Sequence, residues 1–237
     1  EIQIKLDKKI ILITGTSKGI GANLAKHYSD LGYVVIGCSR SEIGKNITNY
    51  QHHVIDITDE AQVKLLFRDI RKKYGKLDIL VNNAGIASMN HSLLTTMETV
   101  HKILNTNVSG MFLFSREAAK LMQKHQYGRI INIATVATPL KLEGEAIYAA
   151  SKAAVISLTQ ILSRELAEYK ITVNAIGPTP VKTDLIKSVP TKKIEALLQR
   201  QAIKRYGKFT DITNVIDFFI KPESDFVTGQ VIFLGGV

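Results

Sequence analysis

The feature that most constrains the fold is a regular alternation of short apolar segments with amphipathic ones. Seven segments rich in Ile and Val are predicted strands: KKIILIT, YVVIGCS, HHVIDI, LDILVNNAG, RIINIA, ITVNAI and GQVIFLGG. Strands that are apolar throughout are typical of parallel sheets buried on both faces, and right-handed crossovers place helices on both sides. The sequence therefore predicts an α/β fold: a doubly wound, parallel, seven-stranded sheet with helices on both faces.

Helical spacing of apolar residues between these strands predicts the helices. Four of them are expected at about 19–31, 97–125, 148–169 and 211–220, and the third strand is followed by another that begins after a cap at Thr58 or Asp59. The helix over 97–125 is expected to break near Asn107 and Gly110. A chain of 237 residues is long enough for one well-buried core. We therefore expect one domain over 1–237, in which 184–206 form a basic insert over the substrate.

Composition excludes several classes of protein. Apolar residues make up 45% and charged residues 22% of the chain, as in ordinary globular proteins. We see no apolar stretch that approaches the roughly 20 residues of a membrane span, and no secretory leader. Cys38, the only cysteine, allows no internal disulfide and no cysteine-based metal site. It fits a buried strand thiol in a reducing compartment, and we expect a cytoplasmic protein without a metal.

The net charge of +10 is unevenly distributed. Between 182 and 208, two acidic residues accompany eight basic ones: Lys182, Lys187, Lys192, Lys193, Arg200, Lys204, Arg205 and Lys208. No aromatic ladder interleaves these cations, so nucleic-acid binding by base stacking is not supported. A solvated surface and a contact for an anionic substrate or carrier both remain open.

The stretch TGTSKGIG, from Thr14 to Gly21, follows the first strand and opens the first helix. Backbone N–H groups converge at such a turn, and the helix N-terminus adds partial positive charge, so an anion is favoured there. Gly15 permits the turn, Gly19 removes a side chain where a pyrophosphate approaches, and Gly21 allows close helix packing. The spacing differs from the common G-x-G-x-x-G fingerprint.

Three motifs in this order carry a resemblance to a known family. The T-G-x-x-x-G-x-G loop, NNAG at Asn82–Gly85 and YAASK at Tyr148–Lys152 resemble the short-chain dehydrogenase/reductase family. The likeness extends from Ile10 to Gly236, and its overall pattern is closest to 3-oxoacyl-[acyl-carrier-protein] reductases. It implies a Rossmann-like domain that binds a nicotinamide dinucleotide.

Tyr148 and Lys152 lie four residues apart and therefore on one face of a helix. An ammonium about 4 Å away contributes about 4 kcal/mol at an effective dielectric of about 20, which corresponds to about three pKa units. We therefore expect Lys152 to lower the pKa of Tyr148, the general acid. The resemblance implies that Lys152 also holds the nicotinamide ribose and that Thr135, at a place where serine is usual, polarises the substrate carbonyl. It also implies that Asn107, rather than Asn105, anchors a water in a proton relay.

Basic residues at the end of the second strand indicate which dinucleotide is bound. Arg40 and Lys18, with Ser17 and Ser39, suit a dianionic 2′-phosphate, so we expect NADP(H). The resemblance implies further cofactor contacts, which are the loop residue Ile20, Asp56 and Ile57 at the adenine, Asn83, Ala84 and Gly85 at the ribose, and Pro178, Val181 and Thr183 at the nicotinamide. Thr179 stands where the family has glycine.

The predicted function is reduction of a ketone by NADPH, with a 3-oxoacyl thioester as the expected substrate. Reduction of a sugar, nucleotide-sugar or polyketide-type ketone is an alternative, and so is a non-catalytic NADP-binding sensor or scaffold. Docking of a carrier protein on the basic insert stays open. The resemblance implies a homo-oligomer, a tetramer or a dimer, and we expect no nucleic-acid or membrane partner.

Overall fold

The computed structural model describes residues 8–44, 47–186 and 189–237. Its strands form one parallel sheet of seven, in the order β3-β2-β1-β4-β5-β6-β7. The strands are β1 (Ile10–Thr14), β2 (Val34–Ser39), β3 (Tyr50–Val54), β4 (Ile79–Asn82), β5 (Gly128–Ile133), β6 (Ile171–Gly177) and β7 (Val231–Phe233). The predicted fold class is confirmed.

Eight α-helices occur in the described part of the chain. They are α1 (Gly19–Asp30), α2 (Glu60–Tyr74), α3 (Met97–Leu104), α4 (Met111–Met122), α5 (Ala137–Leu140), α6 (Ala146–Glu165), α7 (Thr191–Gln199) and α8 (Phe209–Ile220). A π-helical segment, Asn105–Gly110, joins α3 to α4. The break expected near Asn107 and Gly110 is therefore a widened turn that keeps the helical direction.

The core has two halves because successive side chains of a strand point to opposite faces of the sheet. In β1, Ile10 and Leu12 belong to one apolar cluster and Ile11 and Ile13 to the other. Side chains of α2, α4 and α6 complete the first cluster, and those of α1 and α8 complete the second. The hydrophobic effect thus holds helices on both faces.

The two edge strands depart from the prediction that all strands are buried. The residues of β3 are half-buried or exposed, and those of β7 are half-buried. Each of these strands has a single neighbour in the sheet, so solvent reaches its open side. The third strand also begins at Tyr50, before the predicted HHVIDI segment, and ends at Val54.

Helix boundaries follow capping chemistry. Asp59 caps α2, since its carboxylate accepts from the backbone N–H groups of Ala61 and Gln62. The helix predicted from 211 begins at Phe209, because the Asp211 carboxylate reaches back to the backbone N–H of Lys208. The long helix begins at Ala146 and ends at Glu165, and a 3₁₀ turn, Ala167–Tyr169, continues the predicted segment.

Helix α6 also corrects the expectation about membrane spans. It is long and apolar enough to cross a membrane by length and composition, with a mean hydropathy of 1.2. A core helix passes the same test, so one such helix is weak evidence. Val155 and Leu162 of α6 are buried, and Leu162 packs in a core cluster with strand residues. About 33% of this apolar stretch is buried, so one face of α6 packs on the sheet and the rest of the helix surface is not covered by this chain.

The basic insert follows β6. It contains a 3₁₀ turn, Asp184–Ile186, and α7, while the predicted cation Lys187 lies outside the described residues. At the end of α7, the Arg200 guanidinium donates to the Leu140 carbonyl at 2.5 Å. This contact ties the insert to the segment that precedes α6.

Phe219 tests whether the α8 half of the core stabilises the fold. Its side chain is fully buried, whereas that of Phe226 is 98% exposed. Phe219→Ala is expected to lower the free energy of unfolding by about 3–5 kcal/mol through lost burial and a cavity. Phe226→Ala is expected to change it by no more than about 0.5 kcal/mol. Urea unfolding measures both, and equal losses would contradict this assignment of the core.

Candidate active site

The candidate site lies at the carboxyl edge of the sheet. The chain runs outward from β1 to β2 and β3 and then returns to β4 on the other side of β1. Such a reversal of strand order leaves a crevice outside the strand ends, where ligands of doubly wound folds bind. The glycine loop after β1, the NNAG turn after β4 and Thr135 after β5 all lie at this edge.

The glycine loop has the geometry of an anion cradle. Gly15 has φ +74°, and a Cβ there would lie 2.9 Å from Cα of Ala84; a Cβ on Gly21 would lie 2.2 Å from the Gly15 carbonyl oxygen. Gly19 has φ +60°, and a Cβ built there would make ordinary contact with the Thr183 side chain at 3.7 Å. The loop is therefore tightly packed at Gly15 and Gly21, and less so at Gly19.

The start of α1 leaves its backbone N–H groups available to an anion. Lys18 precedes the helix without a side-chain cap, and the first turn contains no acidic residue. Ser17 and Lys18 are exposed, and Ile20 packs against the core. The glycine backbone of the loop and the uncapped helix start therefore fit a bound phosphate group.

Thr14 links the glycine loop to the NNAG turn, a contact that the sequence analysis missed. Its hydroxyl accepts from the backbone N–H groups of Asn83 and Ala84 at 3.0 and 2.9 Å. The Asn83 side-chain amide donates back to the carbonyls of Thr14 and Gly15. Threonine as the last residue of β1, directly before the first glycine, is the sequence signal for this link.

Tyr148, Lys152 and Thr135 come together between α6 and the end of β5. Lys152 is 5% exposed, and its ammonium donates to the Ile133 carbonyl at 2.6 Å. The Thr135 hydroxyl lies near enough to the Tyr148 phenol to lower its pKa, and it accepts from the backbone N–H of Ala137 at 3.2 Å. The Tyr148 and Thr135 hydroxyls are thus neighbours, and the ammonium of Lys152 is buried one helical turn further along α6.

The predicted lowering of the Tyr148 pKa by Lys152 is wrong, because the pKa is raised and Lys152 is not among the groups that shift it. The pKa of Tyr148 is raised to about 12, and burial is the largest cause. The Thr135 hydroxyl opposes this rise, and the Glu145 carboxylate adds to it. Burial lowers the pKa of Lys152 to about 8. The estimate from charge separation alone omitted desolvation, which penalises both charged forms.

Asn107 lies in the π-helical segment and is 1% exposed, whereas Asn105 is exposed. Its amide donates to the Ile86 carbonyl at 2.9 Å and to the Ser151 hydroxyl at 3.0 Å, and its oxygen accepts from the Ile86 N–H. The Ser151 hydroxyl in turn donates to the Tyr148 carbonyl. Asn107 therefore connects the segment after the NNAG turn to α6, and Ser151 is a second residue that the sequence analysis missed.

Gly85 brings this cluster next to the NNAG turn. A Cβ there would lie 3.2 Å from Oδ1 of Asn107 and 3.4 Å from Nζ of Lys152. Glycine at this position therefore leaves the amide and the ammonium room at the edge of the crevice.

The residues predicted at the adenosine end follow β2 and β3. Ser39 is buried and donates to the Ser41 carbonyl at 2.7 Å, while Arg40 is exposed. The Asp56 carboxylate accepts from the backbone N–H and the hydroxyl of Thr58. Ile57 is buried and packs closely on Gly110.

The loop after β6 closes the other end of the crevice. The Pro178 carbonyl accepts from Val136 N–H at 3.3 Å, Val181 pairs with Gly207 in an isolated bridge, and Thr183 lies across from Gly19. Thr179, which replaces the family glycine, is buried and donates to the Gln201 side chain. Its hydroxyl is thus used to fix the insert.

Together these groups provide an anion cradle beside a protonated phenol and a second hydroxyl. Such hydroxyls hydrogen-bond a carbonyl oxygen, and a phenol that keeps its proton can donate it. Among the described residues, no group of three or more His, Cys, Asp and Glu side chains is arranged to hold a metal.

Known proteins resemble this chain over nearly its whole length. A family model described as enoyl-(acyl carrier protein) reductase matches residues 15–236. The 3-oxoacyl-[acyl-carrier-protein] reductase FabG of Salmonella typhimurium is 33% identical over 239 residues, and that of Rickettsia felis 37% over 236 residues; in both cases 98% of each chain is covered. The solved structure of ElxO with NADP bound has a TM-score of 0.88 at 32% identity and covers 96% of this chain and 97% of its own. These matches, together with the glycine loop, the NNAG turn and the Tyr148–Lys152 helix, establish that the chain belongs to the short-chain dehydrogenase/reductase family of oxidoreductases.

Proposed function

We propose that this protein uses NADPH to reduce the ketone of a 3-oxoacyl thioester to a secondary alcohol. The observation that carries the proposal is the pair of neighbouring hydroxyls, Tyr148 and Thr135, at the crevice that begins with the glycine loop. The names of the FabG relatives, 3-oxoacyl-[acyl-carrier-protein] reductase, support the acyl substrate.

NADP(H) is the cofactor that fits these residues. The cradle at Gly19 and the uncapped start of α1 accept the pyrophosphate, and the exposed cations Lys18 and Arg40 suit the 2′-phosphate. The bound NADP of ElxO supports the same choice. When bound, NADPH supplies a hydride to the carbonyl carbon.

The remaining contacts to the dinucleotide are proposed from the family motifs. They are Ile20 in the loop, Ser17 and Ser39 at the phosphates, Asp56 and Ile57 at the adenine, Asn83, Ala84 and Gly85 at the ribose, and Pro178, Val181 and Thr183 at the nicotinamide.

In the proposed reaction, Thr135 and Tyr148 both donate hydrogen bonds to the substrate carbonyl oxygen and orient it. Tyr148 then transfers its phenolic proton to that oxygen, as the carbon gains the hydride. Lys152 holds the tyrosine end of the site through its bond to the Ile133 carbonyl, and Asn107 holds α6 through Ser151. We assign the return of a proton to Tyr148 to a water relay near Asn107.

We propose from the charge of the basic insert that the substrate carries an anionic group. The described part of the basic insert has Lys193 close to Gly144, 3.7 Å from a Cβ built there, just before the helix that carries Tyr148. A cation at the mouth attracts an anionic phosphopantetheine arm or an acidic carrier. We propose that the protein forms a homo-oligomer through the faces of α4 and α6 on which Phe112 and Ile161 are exposed. We also propose that it is located in the cytoplasm.

A substrate panel tests this function. NADPH oxidation is followed with acetoacetyl-pantetheine, acetoacetyl-carrier protein, a ketohexose, a nucleotide-linked 4-ketosugar and a bicyclic aromatic ketone. The acetoacetyl thioesters are expected to give the highest kcat/KM, and that of the carrier-bound form is expected to fall with salt because charge steers docking. A higher kcat/KM for a sugar or polyketide-type ketone would assign the site to that class instead.

Tyr148→Phe tests the proton donor. Loss of the general acid is expected to lower kcat at least about 100-fold, while the Kd for NADPH, measured by fluorescence, stays nearly unchanged. Tyr74→Phe is the matched control, because Tyr74 ends α2, away from the strand ends that form the crevice. Full turnover in Tyr148→Phe would remove Tyr148 from the mechanism.

Lys152→Met tests the cost of burying the ammonium. Burial lowers the pKa of Lys152 from 10.5 to about 8, so between these values the unfolded chain binds more protons and stability rises with pH. Below pH 8 the burial cost is about 3 kcal/mol. The variant is expected to be inactive but more stable at pH 7, by about 1–3 kcal/mol, with the gain shrinking between pH 8 and 10.5.

Urea titrations at several pH values measure this difference. Lys124→Met, at an exposed lysine, is the control and is expected to show no such pH trend. A Lys152→Met variant that is less stable than the native protein at every pH would contradict the argument.

A further inference from the structure

A buried polar contact joins the loop after β6 to the far end of the basic insert. Thr179 in the loop is 6% exposed and Gln201 in the insert is 2% exposed. The Thr179 hydroxyl donates to Oε1 of Gln201. Polar side chains buried to this extent are stable when their polar atoms have partners, so the contact constrains both segments.

The side-chain amide of Gln201 has a fixed orientation. Its Nε2 donates to the carbonyl oxygens of Ile203 and Arg205, both at 3.2 Å. Carbonyl oxygens only accept, so the amino group faces them and Oε1 faces Thr179. The Thr179 hydroxyl is therefore the donor, and a side chain without a donor at this position would deprive the buried Oε1 of this bond.

Backbone bonds fix the same segment to the chain that follows β7. The N–H groups of Ala202 and Ile203 donate to the carbonyls of Gly236 and Gly235, both at 3.0 Å. A Cβ on Gly235 would lie 3.0 Å from Cδ of Gln201, so glycine lets the two segments approach closely. The end of the insert is thus anchored to the body of the fold.

The loop after β6 contacts this anchored segment a second time. The Gly207 N–H donates to the Pro180 carbonyl at 2.9 Å, beside the bridge between Val181 and Gly207. A Cβ on Gly207 would lie 2.8 Å from Cγ2 of Thr179, so the threonine methyl packs closely there. Both ends of the Thr179 side chain, its hydroxyl and its methyl, therefore hold the loop against residues 201–207.

The held loop is the one proposed to contact the nicotinamide, through Pro178, Val181 and Thr183. Pro178 directly precedes Thr179, and its carbonyl accepts from the Val136 N–H at 3.3 Å. A shift of the chain at 179 would move the residues on both sides of it. Glycine, which is usual in the family at this position, would supply neither the hydroxyl nor the methyl.

We propose that Thr179 and Gln201 are positioning residues for the nicotinamide of NADP(H). Their hydrogen bond holds the loop after β6 in the position that receives the ring, and so makes the end of the basic insert part of the cofactor site. Both residues act through the loop and not by touching the cofactor. This inference rests on the proposed NADP(H) cofactor.

A comparison of two ligands tests this role without turnover. The probe 2′,5′-ADP contains the adenosine and the 2′-phosphate of NADPH but no nicotinamide. In Thr179→Val, the Kd for NADPH is expected to rise about tenfold, because the released loop occupies its binding position only about a tenth of the time. The Kd for 2′,5′-ADP is expected to change less than about twofold, because the adenosine end is bound by other segments.

Turnover gives a second readout. With the best ketone of the substrate panel, kcat of Thr179→Val is expected to fall at least about tenfold, because a displaced ring slows hydride transfer. Thr179→Ser keeps the donor and is expected to restore kcat and the Kd for NADPH to within about threefold of the native values. Thr179→Gly introduces the residue usual in the family, so the loop accommodates it, and it is expected to show the same losses as Thr179→Val.

Thr213→Val is the matched control. Thr213 is 7% exposed, and its hydroxyl donates to the Thr210 carbonyl within α8, outside the loop and the insert. The variant also removes a buried threonine hydroxyl, but it is expected to leave both Kd values and kcat unchanged. Equal weakening of NADPH and 2′,5′-ADP in Thr179→Val, or native Kd and kcat in Thr179→Val or Thr179→Gly, would overturn the inference.

Hydrogen exchange on the native protein tests the same link with no substitution. NADPH is expected to slow exchange of the backbone amides of residues 202–207, whereas 2′,5′-ADP is expected to leave them unchanged, because only the nicotinamide engages the loop. Equal effects of the two ligands would overturn the inference. A native protein that binds NADPH but reduces no ketone would instead refute the proposed function, and the two-ligand comparison would still test the positioning role.

Discussion

The buried ammonium of Lys152 is the constraint on which the rest of the site depends. A charge removed from water needs compensating dipoles, or the group loses its proton. The carbonyl of Ile133, the last residue of β5, supplies one such dipole at 2.6 Å. Because Lys152 and Tyr148 are one helical turn apart, the bond that satisfies the ammonium also fixes the phenol against Thr135, just beyond the same strand. The register of α6 on β5 is therefore also the geometry of the candidate catalytic pair.

Polar side chains at the strand ends also join the loops of the crevice by hydrogen bonds. Thr14 joins the loop after β1 to the turn after β4, and Asn107 joins the segment after that turn to α6. Each link satisfies backbone groups that a parallel sheet leaves free at its edge. The crevice is consequently built by bonds between loops, while the apolar strands only bring those loops side by side.

Features formed by residues close together in the sequence could be predicted, whereas features formed by contacts between distant residues could not. The strands and most helices were predictable because apolar runs and helical spacing are local signals, as in β1 and α2. The glycine loop and the Tyr148–Lys152 pair were recognisable because each motif is short. The hydrogen bond from the Tyr50 phenol to the Thr16 hydroxyl was not, since it crosses β2 at Gly37, where a side chain would block it. The direction of the Tyr148 pKa shift was wrong for the same reason: burial is a property of the whole fold and cannot be estimated from spacing.

That corrected shift bears on the direction of the reaction. With a pKa raised to about 12, the Tyr148 phenol keeps its proton at neutral pH, which is the state needed to donate to a carbonyl oxygen. The reverse reaction, alcohol oxidation, needs the phenolate, and burial opposes its formation. Lys152 stabilises a phenolate only while it is charged, and burial lowers its own pKa to about 8. Raising the pH to ionise the tyrosine therefore removes the charge that would stabilise it. Both shifts therefore favour the protonated phenol that donates to a carbonyl over the phenolate that alcohol oxidation needs.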